Sequence, residues 1–530
     1  MNNDRMRGAG DGTAARQATD DQARYDYVIV GGGSAGCVLA SRLSEDAGTR
    51  VLLLEAGRAF DPDENPELVY AGNIVAANGD PRYEWGYFAE PVQQPGPVYT
   101  PRGKVLGGSS AINAAVAVRA LPIDFDRWTA KGLEGWRYDD VLPYYRKMER
   151  TPYGDDLLHG RSGPFPIHQM SLDYITPVQR AMVEAAWGLG YARVADFNDP
   201  RANNGAGPIP MNIINGTRVN AAIAYLPDHV RARDNLTVLD QVLVDVVLFD
   251  DRRARAVRLA DGRQFGGGEI VLSAGAYGSA NILQRSGIGP RADLQALGIP
   301  VLKDAPVGTG LLDHVFFWLN YAGPAEMKGT DQEHPVVAAM LWTNSTLATS
   351  EQDLDIGISP SHLLDPSISP TGVAFSLGLE LMDARSRGFV RLASRDPADK
   401  PRIRFNHLTD PDDMRRMVEA FRIARRLAAT SPLKDLISEE IHPGPAVGDS
   451  DGEIAEALAR GAMTLQHPSG TVRMGRPDDP DAVVDGSGRV HGFEGLRVVD
   501  ASIFPVIPSI NLNPTVIMVA EKIADEMRRG

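Results

Sequence analysis

Three glycines and one carboxylate carry the first recognisable chemistry of this chain. Gly31, Gly33 and Gly36 stand at G-x-G-x-x-G spacing directly after the apolar run Tyr27-Val28-Ile29-Val30. Ala35, Val38, Leu39 and Leu43 then recur at helical intervals, and a second apolar run, Val51 to Leu54, ends on Glu55. Strand, glycine turn, helix, strand and acid in this order form a dinucleotide cradle. Gly31 permits a tight turn, Gly33 lets the backbone approach a pyrophosphate, and Gly36 lets helix and strand pack closely. The helix start offers free N–H groups to phosphates. Glu55 can accept from both hydroxyls of a ribose, and its charge would repel a 2′-phosphate, which disfavours NADP.

The elements that must position this cradle belong to a chain of 530 residues, long enough for two or more domains. A hydrophobic content of 43% and a charged content of 23% are those of a globular protein. The net charge of -15 argues against nucleic acid and anionic membranes as partners. Cys37 is the single cysteine, so no internal disulfide forms, and its apolar position in the first helix suits packing. No apolar run is long enough to predict a transmembrane segment. Residues 1–24 lack an apolar leader and read as a disordered tail, and the expected location is cytoplasmic.

From Arg58 to Pro101 the richness in Pro, Gly, Asn and aromatics predicts long loops. Asp124 to Arg150 reads as helical, with Trp128, Trp136, Val141, Leu142 and Tyr145 available for packing. Strands are expected at Leu236–Leu239, Leu243–Phe249, Ala256–Leu259 and Glu269–Gly275, the last entering a helix near Tyr277. Alternation from Asp353 to Leu392 predicts further strands. Helices are expected from Pro411 to Ala429 and over Thr515–Arg528, where Val516, Val519, Ala520, Ile523 and Met527 share a face.

Several separated blocks resemble the glucose–methanol–choline (GMC) oxidoreductases, flavoenzymes that oxidise alcohols. The blocks are Gly103-Lys104-Val105-Leu106-Gly107-Gly108-Ser109-Ser110-Ala111-Ile112-Asn113, then Gly275 to Ala280 running on to Ser286–Gly289, then His467 to Gly475. Asp500-Ala501-Ser502 and Asn511 to Thr515 complete the pattern. The resemblance spans nearly everything from Tyr25 onward. It implies an α/β fold: a discontinuous Rossmann-like FAD-binding domain and a second α+β substrate domain on an antiparallel sheet. The expected division gives 25–60, 100–130, 205–315 and 467–530 to the first domain, and 61–99, 131–204 and 316–466 to the second.

The resemblance also implies FAD, with contacts from Gly31, Gly33, Ser34, Ala35, Gly36, Glu55 and Ala56 at the adenosine end. Gly103, Val105, Gly108, Ser109, Asn113 and Ala114 would follow the pyrophosphate and flavin. Val244, Ala274, Gly275, Asp500, Ala501, Asn511, Pro514 and Thr515 would complete the contacts. Independently, consecutive small residues in the Gly103–Asn113 loop offer unobstructed backbone N–H groups. Asn513 and Pro514 suit an N-cap and a first helical position.

Alcohol oxidation removes a hydroxyl proton and a hydride, and a histidine has the right proton affinity to take the former. Among ten histidines, the resemblance singles out His467 as general base, with flavin N5 taking the hydride and Asn511 donating to the substrate oxygen. Arg473 and His314 read as structural. The expected substrate is a small primary alcohol of aryl, furanic or similar type, with O2 or another acceptor reoxidising the flavin. Alternatives are a choline-type or aliphatic alcohol with a quinone acceptor, or a hydroxynitrile lyase on the same fold. Phe316, Phe317, Trp318, Met340 and Trp342 are candidate pocket residues, and Gln466 replaces an aromatic common in relatives. Some relatives link FAD covalently through a histidine where this chain has Ile112, so the FAD is expected to be non-covalent. Acid precipitation of the holoprotein should then release the yellow chromophore into the supernatant; colour retained in the pellet would refute this.

Overall fold

The computed structural model describes residues 24–59, 65, 68, 77–327, 334–362 and 365–529. The tail expected over 1–24 therefore lies, Arg24 apart, outside the described residues. In chain order, β1 (Tyr25–Val30), α1 (Ser34–Leu43) and β2 (Val51–Leu54) are followed by α2 (Pro122–Thr129), α3 (Tyr138–Met148), α4 (Pro177–Gly188) and β3 (Gly205–Pro208). Next come β4 (Leu236–Leu239), β5 (Val244–Asp250), β6 (Arg253–Leu259), β7 (Gln264–Leu272) and α5 (Gly275–Arg285). Strands β8 (Val315–Ala322), β9 (Ala339–Thr343), β10 (Ile356–Ser361) and β11 (Ala374–Leu381) precede α6 (Pro411–Ala428). The chain closes with β12 (Glu439–His442), β13 (Met463–Thr464), β14 (Leu496–Val498) and α7 (Asn513–Arg529).

One sheet runs β4-β2-β1-β7-β6-β5. Its β4, β2, β1 and β7 are parallel neighbours, and β2 with the last three residues of β1 and of β7 is buried and wholly apolar. The long β7 pairs antiparallel with β6 through its first residues and parallel with β14 through Ile270–Leu272. Helix α1 packs on this sheet and α7 packs on α1 and α3, joined to α1 by an Arg42–Glu521 ion pair at 2.7 Å.

The second sheet is antiparallel, ordered β12-β8-β11-β10-β9-β3, with β13 on the outer edge of β8. Alternation gives it two different faces. Phe317, Leu319, Leu377, Leu379 and Ile358 join Met417, Phe421 and Leu427 of α6 and Met182 of α4 in a second core. The opposite face, carrying Phe316, Trp318, Ser359 and Glu380, lines a cleft between the two sheets.

Three expectations are corrected. The helical stretch over Asp124–Arg150 is two helices, because Gly132 and Gly135 adopt φ of 80° and 73° between them. Asn513 is the first residue of α7 rather than its cap, and its Oδ1 accepts from Ser34 Oγ at 2.6 Å. In the domain division, β3 was assigned to the cofactor half yet pairs with β9. Likewise α3, assigned to the substrate half, buries Val141, Tyr145 and Met148 in the first core, and Tyr144 bonds Asp525 of α7. We propose the remaining boundaries as expected from the sequence. Among the described residues no helix is long and apolar enough to cross a membrane.

Leu379 is fully buried between β11 and the helices. Leu379→Ala should cost about 2–5 kcal/mol, read as a lowered urea midpoint of the full chain; an unchanged midpoint would show that this face does not hold the second core.

Candidate active site

Between the two sheets lies a cavity of about 530 Å³, lined by the glycine turn and by His467 and Asn511. The turn is as tight as its glycines require. A Cβ on Gly36 would lie 1.9 Å from the Gly31 carbonyl oxygen, and one on Gly108 would lie 2.7 Å from Gly33 Cα. Two backbone loops thus meet at the start of α1, whose free N–H groups open on the cavity.

Glu55 ends β2 and is buried. Its Oε2 accepts from Gly32 N and its Oε1 from Gly57 N, both at 2.7 Å. Burial raises its proton affinity to a pKa of about 7, partly countered by these backbone donors. Each oxygen keeps a lone pair, so the residue locks the turn and can still take a ribose hydroxyl.

Most expected contact residues line this cavity: Gly31, Gly33, Ser34, Ala35, Glu55, Ala56, Gly103, Gly108, Ser109, Asn113, Ala114, Val244, Ala274, Gly275, Asp500, Ala501 and Asn511. Four do not. Gly36 sits beneath the turn against Gly31. The Val105 side chain points into the first core. Pro514 and Thr515 are buried in α7, where the Thr515 hydroxyl bonds Tyr145 Oη at 2.8 Å. Asp500 lines the cavity, but its carboxylate already serves protein donors: Gly275 N, Ser279 Oγ and Ser502 N. Arg473, expected to be structural, does not line the cavity and stands beside Gly310 and Asp481.

At the other end, hydrogen bonds settle which nitrogen of each histidine bears the proton. His314 Nε2 lies 2.9 Å from the Pro508 carbonyl oxygen, which can only accept, so Nε2 carries hydrogen. Burial holds the His314 pKa down to about 4, leaving the ring neutral and its Nδ1 bare. That nitrogen is 2.8 Å from His467 Nδ1, so His467 must be the Nδ1–H donor. His467 Nε2 is thereby left with a lone pair. The Asn511 amide nitrogen, a donor only, lies 3.3 Å from that same Nε2 and reaches the same assignment from the opposite side.

His467 is also held through its main chain. His467 N donates to Asp313 Oδ1 at 2.9 Å, and Asp313 Oδ2 accepts from His407 Nε2 at 3.0 Å. Gln466 before it adopts φ of 69°, a strained value for a side-chain-bearing residue. Arg102 Nη2 fixes it by donating to both its carbonyl and its Oε1 at 2.9 Å. On the far side, Ser509 N and Oγ donate to Asp124 Oδ1, and Trp128 Nε1 donates to the Val506 carbonyl, tying the Asn511 segment to α2. His314, Asp313, His407 and Arg102 were not singled out for this role from the sequence. The Asp313-His314 pair closing the Gly308–His314 run, and the Arg102 preceding the first signature, were the available signals.

Burial lowers the proton affinity of His467 well below the ordinary 6.5, and the neighbouring His314 and the Arg102 guanidinium lower it further. Of the candidate pocket residues, Phe316, Trp318 and Met340 line the cleft, whereas Phe317 and Trp342 belong to the second core.

A nucleotide cradle and an oriented imidazole with a bare nitrogen, lining one cleft, suit an oxidoreductase with a dinucleotide cofactor. Models of the GMC oxidoreductase family match residues 25–316 and 384–520. The chain is 38% identical over 548 residues to an oxygen-dependent choline dehydrogenase of Yersinia pseudotuberculosis serotype IB (strain PB1/+), covering 95% of this chain and 94% of that protein. It is 39% identical over 540 residues to the same enzyme of Pectobacterium carotovorum subsp. carotovorum (strain PC1), covering 95% of each. The crystal structure of pyridoxine 4-oxidase from Mesorbium loti superposes with a TM-score of 0.88 at 33% identity, covering 96% of this chain and 100% of that one. The chain belongs to the GMC oxidoreductase family and is an FAD-dependent oxidoreductase acting on alcohol-type donors.

A base must be unprotonated to act, so a lowered pKa moves the acid limb of the rate profile downward. Anaerobic flavin reduction should therefore keep its rate as pH falls through 6.5. A limb at or above that value would show that the buried, neutral His467 is not the form that acts.

Proposed function

We propose that this enzyme oxidises a small primary alcohol to the aldehyde, with His467 as general base and Asn511 as the donor to the substrate oxygen. The observation that supports it is the bare Nε2 of His467, fixed from the Pro508 carbonyl through His314 and facing the Asn511 amide inside the cleft. FAD, when bound, supplies the hydride acceptor. An alcohol O–H approaching His467 replaces the long Asn511 contact, donates to Nε2 and passes its proton there. The Asn511 amide then turns its N–H to the oxygen that has lost the proton. His314 keeps the resulting imidazolium in place by accepting from Nδ1, and the Pro508 carbonyl keeps His314 from turning over.

For the cofactor, the proposal assigns the pyrophosphate to the backbone of Gly31–Ala35 and Gly108–Ser109, the ribose to Glu55 and the adenine to the Val244 backbone. Asn113 and Ala114 line the same cavity. The reoxidising acceptor is assigned as O2, in keeping with the name of the Yersinia relative. The names of that relative and of pyridoxine 4-oxidase support choline-type and aromatic alcohols equally.

Anaerobic mixing of the yellow holoprotein with benzylic, furanic, pyridoxine-like, aliphatic and choline-type alcohols should bleach the oxidised flavin with at least one class. His467→Ala should slow that bleaching by about 10²–10⁴-fold with the flavin retained. Bleaching by none, or an unchanged rate in the variant, would overturn the reading, and turnover of a cyanohydrin without bleaching would replace it by a lyase.

A further inference from the structure

One guanidinium outside the cleft joins elements that the oxidation needs in register. Arg127 of α2 does not line the cavity, yet it meets three carboxylates from three parts of the chain. Its Nη2 donates to Asp353 Oδ1 at 2.5 Å and lies 3.4 Å from Asp383 Oδ2, and its Nη1 lies 3.6 Å from Asp124 Oδ1. Two of these acids mark one end of the cleft floor. Asp353 comes just before β10 and Asp383 just after β11, and Ile356 of one strand pairs with Leu381 of the other. These strands carry Ser359 and the buried Glu380 on their cleft side. Asp353 is itself fixed, since Thr349 N and Oγ1 both donate to its Oδ2 at 2.8 Å. Arg416 of α6 holds the Asp383 main chain, donating from Nη1 to its carbonyl at 2.7 Å.

The third acid grips the catalytic segment. Asp124 Oδ1 accepts from Ser509 N at 3.0 Å and from Ser509 Oγ at 2.7 Å, and Arg127 Nη1 donates to the same hydroxyl at 3.2 Å. Ser509 N–H and the Pro508 carbonyl belong to one planar trans peptide and so point in opposite directions. Asp124, by holding the N–H, aims the carbonyl, and that carbonyl accepts from His314 Nε2. Burial raises the Asp124 pKa to about 6, and Arg127 is the strongest influence pulling it back down. Charges withdrawn from water cost more than apolar packing of the same volume, so such a cluster is an expensive way to fill space. Without Arg127, Asp124 and Asp353 would have no cation within ion-pair distance among the described residues.

We propose that Arg127 is a positioning residue for the oxidation: it ties the strands that floor the cleft to the peptide that sets the protons of His314 and His467. The inference rests on the alcohol oxidation proposed above. An alcohol lying on the floor then meets His467 Nε2 in a fixed place, and a small slip of one against the other is enough to slow the reaction. A lysine would not replace the arginine, because only the planar fork reaches acids on several sides at once.

The test uses the FAD-loaded enzyme and the alcohol that bleaches it best. Arg127→Ala should slow anaerobic flavin reduction roughly 10–100-fold while the half-saturating alcohol concentration moves less than about threefold, the pattern of a bound but misplaced substrate. Arg127 is 21% exposed, so guanidinium chloride at a non-denaturing concentration should refill its place and restore the rate, which sodium chloride at equal ionic strength should not. An unchanged rate, a loss carried by half-saturation alone, or a response to guanidinium no greater than to sodium would overturn the proposal. Should Arg127→Ala fail to retain flavin, Asp353→Asn decides. It removes charge at the sheet end of the clamp only and should slow reduction about 3–10-fold; an unchanged rate there would equally overturn the proposal. Nitrogen NMR of the histidine-labelled holoenzyme requires no turnover. In the wild type it should find His467 Nε2 and His314 Nδ1 bare, and in Arg127→Ala a second proton arrangement beside that one. Ring nitrogens that ignore Arg127 in an enzyme that oxidises alcohols sink the clamp alone. Ring nitrogens that respond, in a protein bleached by no alcohol, sink the reaction and leave the clamp standing.

Discussion

A single hydrogen bond, from His314 Nε2 to the Pro508 carbonyl, determines the chemistry of the whole cleft. A carbonyl oxygen cannot donate, so this contact places one proton on His314, and the next bond places one on His467. The reactive lone pair is the residue of that bookkeeping. Everything that fixes Pro508 therefore acts on the His467 ring: Asp124 holding Ser509, and Trp128 holding Val506. These anchors come from α2, which lies where the two cores meet, contributing Phe125 and Trp128 to the first and following Leu121 in the second. The orientation of one imidazole thus depends on the docking of both halves of the molecule.

The antiparallel sheet serves two solvents at once. Its apolar face needs only bulk and fit against α4 and α6, and is built from Leu, Ile and Phe. Its other face must tolerate a substrate, and there the same strands carry Gly357, Gly378, Ser359 and Glu380 beside Phe316 and Trp318. Because strand side chains alternate, neither face can be altered by a shift in register without exchanging it for the other. This constrains β8 and β11 more strongly than their burial alone.

Legibility in the sequence followed the distance between cooperating residues. The cradle was plain because Gly31, Gly33, Gly36 and Glu55 lie in one short stretch whose physics is local. His467 and Asn511, 44 positions apart, were legible through motifs. His314 read as structural because its meaning lies in a nitrogen 153 residues away, and no periodicity announces such a contact. Glu380 was silent for a different reason. In an alternating strand a single acid reads as a solvent-facing position, and only the second sheet-face environment shows that it is buried. The end of α7 shows local reasoning overruled: Asn513 has an ideal capping side chain, yet Ser34 claims its oxygen from across the fold. Likewise α3 could not be assigned to its core from its own pattern, since both cores accept the same residues.

The pairing of α1 with α7 has a bearing on the order in which the molecule is made. Ser34 and Asn513 are separated by 479 residues, as are Arg42 and Glu521. The cradle is translated long before one wall of its sheet, β14, and the helix that covers α1. Until then the nascent N-terminal unit exposes an apolar helix face and an unpaired half of β7. Pairings this distant close slowly and leave sticky surface open meanwhile. The flavin pocket is accordingly complete only once segments 479 residues apart have met.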